Sequence, residues 1–175
     1  VNAENFDKNC QIWNDLFQDP LQKPSPAGFG SITADKSVAT HSTGLTLSAW
    51  VRPSKVTKKW QTIVRREDSW RRQLLAIGDT GGTWGIWMGA GIEGRYVEFG
   101  APVKPNALGD GKWHHVAGTF DGKQMSLYVD GKQVGRKAIV GKLYTQSNEP
   151  MQIGSYQNEP FQGDLNDVRL FRTGL

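Results

Sequence analysis

The sequence predicts an all-β protein, built as an antiparallel sandwich or barrel. From residue 29 onwards, short segments with strand-like alternation follow one another, and Gly, Asp or Pro separates them. No long helical pattern interrupts this section, and 21 glycines are available for turns. A chain of 175 residues, 37% hydrophobic and 22% charged, suits one domain with a core of ordinary size. No apolar run approaches the ~18 residues that indicate a membrane span.

Residues 1–28 differ from the rest, and we expect them to form a short appendage. The segment CQIWNDLFQDPLQ has the spacing of one short amphipathic helix, which the following prolines would end. This appendage would pack on the domain edge or join the domain to a neighbour. The chain opens at Val1 without a methionine or a signal peptide, so we expect an excised domain or a processed product. Residues 29–175 are then the folded domain.

The first clear strand is LTLSAWVRP, residues 45–53, which Pro53 ends. Alternating side chains of a strand point to opposite faces, so the apolar residues are expected on one face and the others on the second. The apolar face holds Leu45, Leu47, Ala49 and Val51. The opposite face holds Thr46, Ser48, Trp50 and Arg52.

Nine further strands are predicted along the chain: WQTIVRR, RQLLAIG, TWGIWMG, RYVEFG, KWHHVAGTF, MSLYVDG, QVGRKAIV, MQIG and DLNDVRLF. In TWGIWMG, Trp84 shares a face with Ile86 and Met88, whereas Trp87 lies on the other face. One of these two tryptophans must therefore face away from the core. An exposed indole offers a flat apolar surface to a ligand, so both Trp84 and Trp87 are candidate ligand-binding residues.

The paired histidines of KWHHVAGTF raise the question of a metal site. His114 and His115 are adjacent on a predicted strand, so their side chains point to opposite faces and do not chelate one ion together. His41 is the only other histidine, and the single cysteine, Cys10, excludes a cysteine-based cluster. The stretch is therefore predicted to be two strands and hairpin turns, with Asp-Gly turns at 121–122 and 130–131.

Five stretches carry a family pattern: LTLSAWVRP, QTIVRRED, GKWHHVAGTFDGKQMSLYVDGKQVG, MQIGSY and FQGDLNDVRLFRTGL. They resemble the concanavalin A-like, laminin G-like jelly-roll family, and the similarity runs from about residue 29 to residue 175. The resemblance implies an antiparallel jelly-roll β-sandwich with one concave sheet. It also implies that Trp50 and Trp113 occupy core or near-core positions.

The resemblance further implies one structural calcium ion. The family's closing segment usually reads Ile-Asp-Glu-Val-Arg, and its first acid often binds calcium together with an early carboxylate. Here the segment places Asn166 and Asp167 at the two acidic positions, and Asp35 matches the early carboxylate. An asparagine oxygen still coordinates calcium but lacks the charge, so the expected affinity is lower.

Positive charge is concentrated in residues 52–72. This segment contains eight basic residues and only two acidic ones, Glu67 and Asp68, in a chain whose net charge is +4. A local basic field attracts anionic polymers, and the alternative interpretation is a solvated, charged strand surface. No helix-turn-helix, zinc-finger or aromatic RNA-binding signature accompanies the charge, so nucleic acid is not an expected partner.

Two segments are candidate binding loops, because ligand-binding residues favour loops on a rigid scaffold. RREDSWRRQ combines an indole with charged groups, supplied by Arg65, Arg66, Glu67, Trp70, Arg71 and Arg72. GSYQNEPFQG offers Tyr156, Gln157, Asn158 and Glu159. The alternatives are a charged hairpin on which Trp70 folds back, and an ordinary turn.

We therefore expect a non-catalytic carbohydrate-binding module of a larger secreted bacterial protein, with a tilt towards acidic or sulfated glycans. Its partners would be a polysaccharide or oligosaccharide and other domains of the parent protein. One alternative is a protein-interaction or packing domain beside a catalytic domain. The other is a glycoside hydrolase or polysaccharide lyase, but no strand carries the paired carboxylates that such an enzyme needs. The expected affinity is modest, on the order of 0.01–1 mM.

Overall fold

The computed structural model describes the greater part of the predicted domain, namely residues 30–32, 43–55, 57, 59–104, 107–144, 147 and 149–174. The expected helix within residues 1–28 and the carboxylate of Asp35 lie outside these described residues. Over the part described, the chain is all-β, so the predicted fold class is confirmed. None of the described residues belongs to a helix that is long and apolar enough to cross a membrane.

Eleven strands make up the described fold. In chain order they are β1 (Gly30–Ile32), β2 (Leu45–Pro53), β3 (Gln61–Arg66), β4 (Gln73–Asp79), β5 (Trp84–Ile92), β6 (Arg95–Pro102), β7 (His114–Phe120), β8 (Gln124–Val129), β9 (Lys132–Ala138), β10 (Met151–Ile153) and β11 (Gly163–Phe171). They form a six-stranded sheet in the order β1-β10-β3-β4-β5-β6 and a five-stranded sheet in the order β11-β2-β7-β8-β9. Every pairing is antiparallel.

The core lies between the two sheets and follows the alternation of the strands. All four apolar residues predicted for the inner face of β2 are fully buried. Leu75 and Ile77 of β4, with Ile86 and Met88 of β5, cover them from the six-stranded sheet. Burial of such side chains stabilises the fold by roughly 1.5–3 kcal/mol each. The two sheets therefore present their other faces outwards, where ligand contacts are available.

The turns around β8 have the backbone that the sequence predicts. Gly122 and Gly131 have φ of 89° and 72°, and Asp130 has φ of 49°. These are left-handed conformations that glycine adopts without cost and aspartate tolerates. Asp121 Oδ1 also accepts hydrogen bonds from the backbone N–H groups of residues 123 and 124, at 2.8 Å each.

The two adjacent histidines lie in different environments, as alternation predicts. His114 is held between Asp110 and Asp130, at 2.9 and 2.8 Å from its two ring nitrogens. His115 contacts Trp50, with ring centroids 5.4 Å apart. Among the residues described, no group of three His, Cys, Asp or Glu side chains is placed to hold a metal ion.

The expectation that Trp50 and Trp113 occupy core or near-core positions is wrong. Their exposed fractions are 41% and 38%, and both lie at the outer surface of the five-stranded sheet. The reason is the alternation itself, since Trp50 follows buried Ala49 and precedes buried Val51 on β2.

Candidate functional site

The outer face of the six-stranded sheet carries aromatic rings that lie flat on its backbone. Trp87 contacts Gly100, the residue opposite it on β6, and the Tyr96 hydroxyl lies over Gly89. A Cβ added at either glycine would overlap the ring above it. Glycine at these outward positions therefore makes room for the aromatic layer. The same strands direct Met88 and Phe99 inwards, so the layer is independent of the core.

Arg65 is the centre of the polar part of this face. Its Nε and Nη2 bond to Glu67 Oε2, both at 2.8 Å, and its Nη1 donates to Glu159 Oε2 at 2.9 Å. Its Cζ lies 3.9 Å from the centroid of the Tyr156 ring. Because Glu159 and Tyr156 belong to the second predicted loop, Arg65 joins the two candidate loops into one site.

Glu67 extends the network towards β6. Its Oε1 accepts a hydrogen bond of 2.5 Å from Arg72 Nε, and the Cζ of Arg72 lies 4.7 Å from the Tyr96 ring centroid. Burial, followed by the nearby negative charge of Glu98, raises the pKa of the Tyr96 hydroxyl well above its usual value. We call the set Arg65, Glu67, Arg72, Trp87, Tyr96, Tyr156 and Glu159 the arginine–aromatic face.

Two predicted site residues do not reach this face. Arg66 lies beside Arg65 on β3, so its side chain points to the opposite side, where it is 4% exposed and burial lowers the pKa of its guanidinium. Trp84 is 5% exposed and belongs to the core cluster. Neither side chain offers a surface to a ligand, so we exclude both from the candidate site. Trp87 is the indole that faces away from the core.

Trp70 and Arg71 lie beside the face, at the tip of the loop between β3 and β4. Trp70 is half-buried and meets the Tyr144 ring edge-on, with centroids 5.0 Å apart. Arg71 Nη2 donates to Asp68 Oδ1 at 3.0 Å, and Ser69 turns the chain with a φ of 48°. The indole of Trp70 thus folds back on the surface, as the alternative interpretation of this loop predicted, and does not project fully from it.

Gln157 and Asn158 are exposed at the tip of the second loop. Gln157 adopts a φ of 49°, and its Nε2 donates to the Tyr156 hydroxyl at 3.1 Å. This turn presents the Tyr156 ring to Arg65. Both residues thus border the arginine–aromatic face at its rim.

The site residues predicted from the sequence do not include Trp60, Tyr96 and Tyr144. The rings of Trp60 and Trp87 lie 4.9 Å apart, tilted by 42°. Tyr144 supports Trp70 from a segment whose backbone bonds to the end of β5. The alternation in RYVEFG could have predicted Tyr96. Its neighbour Val97 points towards the core, so Tyr96 points outwards, to the same face as Trp87.

The arginines on this side of the molecule are paired with carboxylates. Arg65 and Arg72 share Glu67, Arg65 also pairs with Glu159, and Arg71 pairs with Asp68. Arg52, at the start of this basic segment, pairs with Asp164 on the other sheet. The basic run of the sequence is therefore not a continuous basic surface.

The residues expected to bind calcium are only partly described. Asn166 is exposed opposite Trp50, and Asp167 lies in a bulge of β11 with a φ of 49°. Asp167 Oδ1 accepts a hydrogen bond of 2.6 Å from Arg169 Nε. A guanidinium therefore already neutralises this carboxylate, so the described residues do not fit a calcium ion well. Asp35 lies outside the described residues, so the calcium ion that the resemblance implies stays untested.

A family model described as the concanavalin A-like lectin/glucanases superfamily matches residues 26–175. Among curated proteins, pappalysin-1 of Mus musculus is 33% identical over a segment that covers 35% of this chain and 4% of that protein. The chain thus spans only a small part of this relative.

Solved structures share the fold at low sequence identity. The LG4-5 domains of the mouse laminin alpha1 chain superpose with a TM-score of 0.63 at 18% identity, covering 82% of this chain and 38% of that one. Domain 4 of a GH43 extracellular arabinanase from Geobacillus stearothermophilus, solved with arabinotriose, has a TM-score of 0.56 at 14% identity. That match covers 87% of this chain and 79% of the domain. At these identities the likeness shows the fold alone.

Proposed function

Because the chain belongs to the concanavalin A-like lectin/glucanase superfamily, we propose that it is a non-catalytic carbohydrate-binding module. The proposed ligand is a polysaccharide or oligosaccharide, which binds on the arginine–aromatic face. The observation that carries the proposal is the joining of two loops by Arg65, which holds Tyr156 and two glutamates on one surface. The arabinotriose complex of the arabinanase domain supports it as an example within the same fold.

The chemistry of this face suits a sugar. Half-buried Trp87 and Tyr156 offer apolar ring surface to the C–H face of a pyranose or furanose. Glu67 and Glu159 accept hydrogen bonds from hydroxyl groups, whereas Arg65 and Arg72 donate them. The ion pairs fix these side chains before a ligand arrives, which lowers the entropy lost on binding.

The paired charges favour a neutral glycan over an acidic or sulfated one. A carboxylate or sulfate would have to displace Glu67 or Glu159 from Arg65, whose side chain is only 12% exposed. The sequence-based tilt towards acidic glycans rested on the total charge of residues 52–72. Because Arg52, Arg65, Arg71 and Arg72 all have carboxylate partners, we propose a neutral ligand first and test the acidic class beside it.

We propose further that the domain works outside the cell, as one module of a longer protein. The laminin domains and the extracellular arabinanase domain are both parts of larger chains, and this chain covers 38% of the laminin structure. Other domains of the parent protein are then its neighbours.

Affinity electrophoresis in gels cast with neutral or acidic polysaccharides tests the proposal. We expect at least one neutral polysaccharide to retard the protein, and Tyr156→Ala to weaken the retardation. Val140→Ala serves as the control, because Val140 is 80% exposed and takes no part in the arginine–aromatic face. Unchanged mobility of the wild type in every gel would refute glycan binding and favour the alternative, a packing domain.

One observation keeps an enzyme as the second candidate. Glu67 and Glu159 contact the same guanidinium, so two carboxylates lie close together on this face. A glycoside hydrolase uses such a pair with one carboxyl group protonated as the general acid. Incubation with the retarding polysaccharide, followed by assays for reducing ends and for unsaturated product, decides the point. Product release that Glu159→Gln abolishes would establish catalysis.

A further inference from the structure

The outer face of the opposite, five-stranded sheet carries two exposed indoles. Trp50 and Trp113 are the only tryptophans among the large exposed hydrophobic residues of the described chain. Trp50 pairs with His115 across β2 and β7, and Trp113 stands two residues before His115. Side chains at such diagonal positions of neighbouring strands lie about 7–8 Å apart, so the two indoles form one patch.

Planar polar groups surround this patch. Arg52 lies with its Cζ 5.0 Å from the Trp113 ring centroid, and its Nε donates to Asp164 Oδ2 at 2.9 Å. On β11, exposed Asn166 is the cross-strand partner of Trp50. The patch therefore offers two ring surfaces together with a guanidinium, a carboxylate and a carboxamide. We call these residues, Trp50, Arg52, Trp113, Asp164 and Asn166, the Trp50–Trp113 patch.

We propose that the Trp50–Trp113 patch is a second saccharide-binding site, on the sheet opposite the arginine–aromatic face. This inference rests on the proposed carbohydrate-binding function. The ligand is a neutral sugar, because the charge of Arg52 is balanced by Asp164 within the patch. Indole rings stack on the apolar face of the sugar, and Asn166, Asp164 and Arg52 bond its hydroxyl groups.

The size of the patch favours a sugar over a protein surface. A stable protein interface covers about 800 Å² per partner and contains a cluster of buried anchors. Here the next outward positions on the two strands are the small residues Ser48 and Ala117, which are themselves buried. An exposed apolar surface limited to two rings matches one or two sugar units.

Two sites on opposite faces give the module a property that one site lacks. Packed sheets lie about 10 Å apart, so one stretch of glycan does not reach both outer faces. A protein with both sites therefore links two glycan chains, or two distant stretches of one chain. Simultaneous binding on a long polysaccharide raises the apparent affinity through effective concentration.

The experiment compares three variants on the neutral polysaccharide that retards the wild type. They are the double variant Trp50→Ala/Trp113→Ala, the face variant Tyr156→Ala, and their combination, with Val140→Ala as the control. Gel retardation measures binding, and light scattering of the dissolved polysaccharide measures cross-linking. Melting temperature and near-ultraviolet circular dichroism report whether each variant folds. If the double variant unfolds, Arg52→Ala/Asn166→Ala removes polar contacts of the patch and leaves both indoles in place.

We expect the wild type to increase light scattering, each single-face variant to bind weakly without cross-linking, and the combined variant to lose retardation. Retardation and scattering that are unchanged in a folded Trp50→Ala/Trp113→Ala variant, but lost in Tyr156→Ala, overturn the second site and leave the proposed function intact. A wild type that no polysaccharide retards overturns both. Loss of binding to another domain of the parent protein, with unchanged glycan binding, would show that the patch is a docking surface instead.

Discussion

Arg65 and Glu159 are separated by 94 positions in the sequence, yet Arg65 Nη1 lies 2.9 Å from Glu159 Oε2. The pair fastens the loop before β11 to the end of strand β3. Two segments that a linear sequence presents as separate candidates thereby become one surface. The geometry of the proposed binding site depends on this contact and on the second carboxylate of Arg65, Glu67.

Glu67 is expected to contribute to stability because it accepts hydrogen bonds from two arginines. Arg65 is 12% exposed and Arg72 is 30% exposed, so loss of their shared partner leaves charge in a partly buried place. We expect Glu67→Gln to lower the free energy of unfolding by about 1–3 kcal/mol. Urea denaturation measures the change. Asp164→Asn is the control, because its ion pair with Arg52 is exposed and should be worth less than about 1 kcal/mol.

Substitution of the outward glycines should have graded effects. In Gly100→Ala, the new methyl group overlaps the Trp87 ring, whereas in Gly78→Ala it meets Trp60 at 3.2 Å, where a small shift suffices. We expect Gly100→Ala to destabilise the fold by about 1–3 kcal/mol and to displace the indole, with a smaller loss for Gly78→Ala. Urea denaturation and near-ultraviolet circular dichroism test the order. Equal losses would contradict a ring seated on Gly100.

His114 is expected to stabilise the protein at acid pH. Burial lowers its pKa, but hydrogen bonds and charge from Asp130 and Asp110 outweigh burial and raise the pKa above 6.5. The folded state therefore favours the protonated ring. This contribution is complete below the unfolded pKa and is lost as pH rises through the folded pKa. The cost of His114→Gln should be largest near pH ~5.5 and smaller near pH ~8.5.

His115 should show the opposite trend. Burial lowers its pKa, with Asp167 and Asp130 opposing the shift and Arg169 adding to it. The folded state favours the neutral ring, so its contribution is present above the unfolded pKa and declines as pH falls. We expect the cost of His115→Gln to be larger near pH ~8.5 than near pH ~5.5. Melting temperatures of both variants across this range form the test, and parallel curves would contradict the assignments.

Calcium is best tested by chelation. The resemblance implies a structural ion held near Asn166 and Asp167, but Arg169 already occupies Asp167 Oδ1. We therefore expect EDTA to leave the melting temperature unchanged in scanning calorimetry. A marked fall that calcium reverses would restore the ion. Asp167→Asn and Asp35→Asn, compared with Glu149→Gln, would then locate its ligands.

Much of the fold was predictable because local alternation determines it. The strand LTLSAWVRP begins and ends where its pattern predicts, at Leu45 and Pro53. The same rule placed His114 and His115 on opposite faces. Applied to Arg65 and Arg66, it would also have removed Arg66 from the site, and it placed Trp50 outside the core against the expectation from family resemblance.

The assembly of the site was harder to predict because it depends on contacts between distant segments. Tyr156 reaches Arg65 only through the pairing of β10 with β3, and Tyr144 reaches Trp70 through a bridge to β5. No local pattern encodes these registers. The net charge of residues 52–72 suggested a basic surface for a related reason. The count could not include Glu159, which lies outside the segment and pairs with Arg65.

Strand β5 supplies side chains to the core and to the outer face of its sheet at alternating positions. Its inward residues, such as Met88, keep the two layers together, while Trp87 projects to the opposite side above a bare glycine. Variants at Trp87 and Tyr96 can therefore be combined in a library that samples the proposed ligand surface, because neither side chain belongs to the core cluster between the sheets.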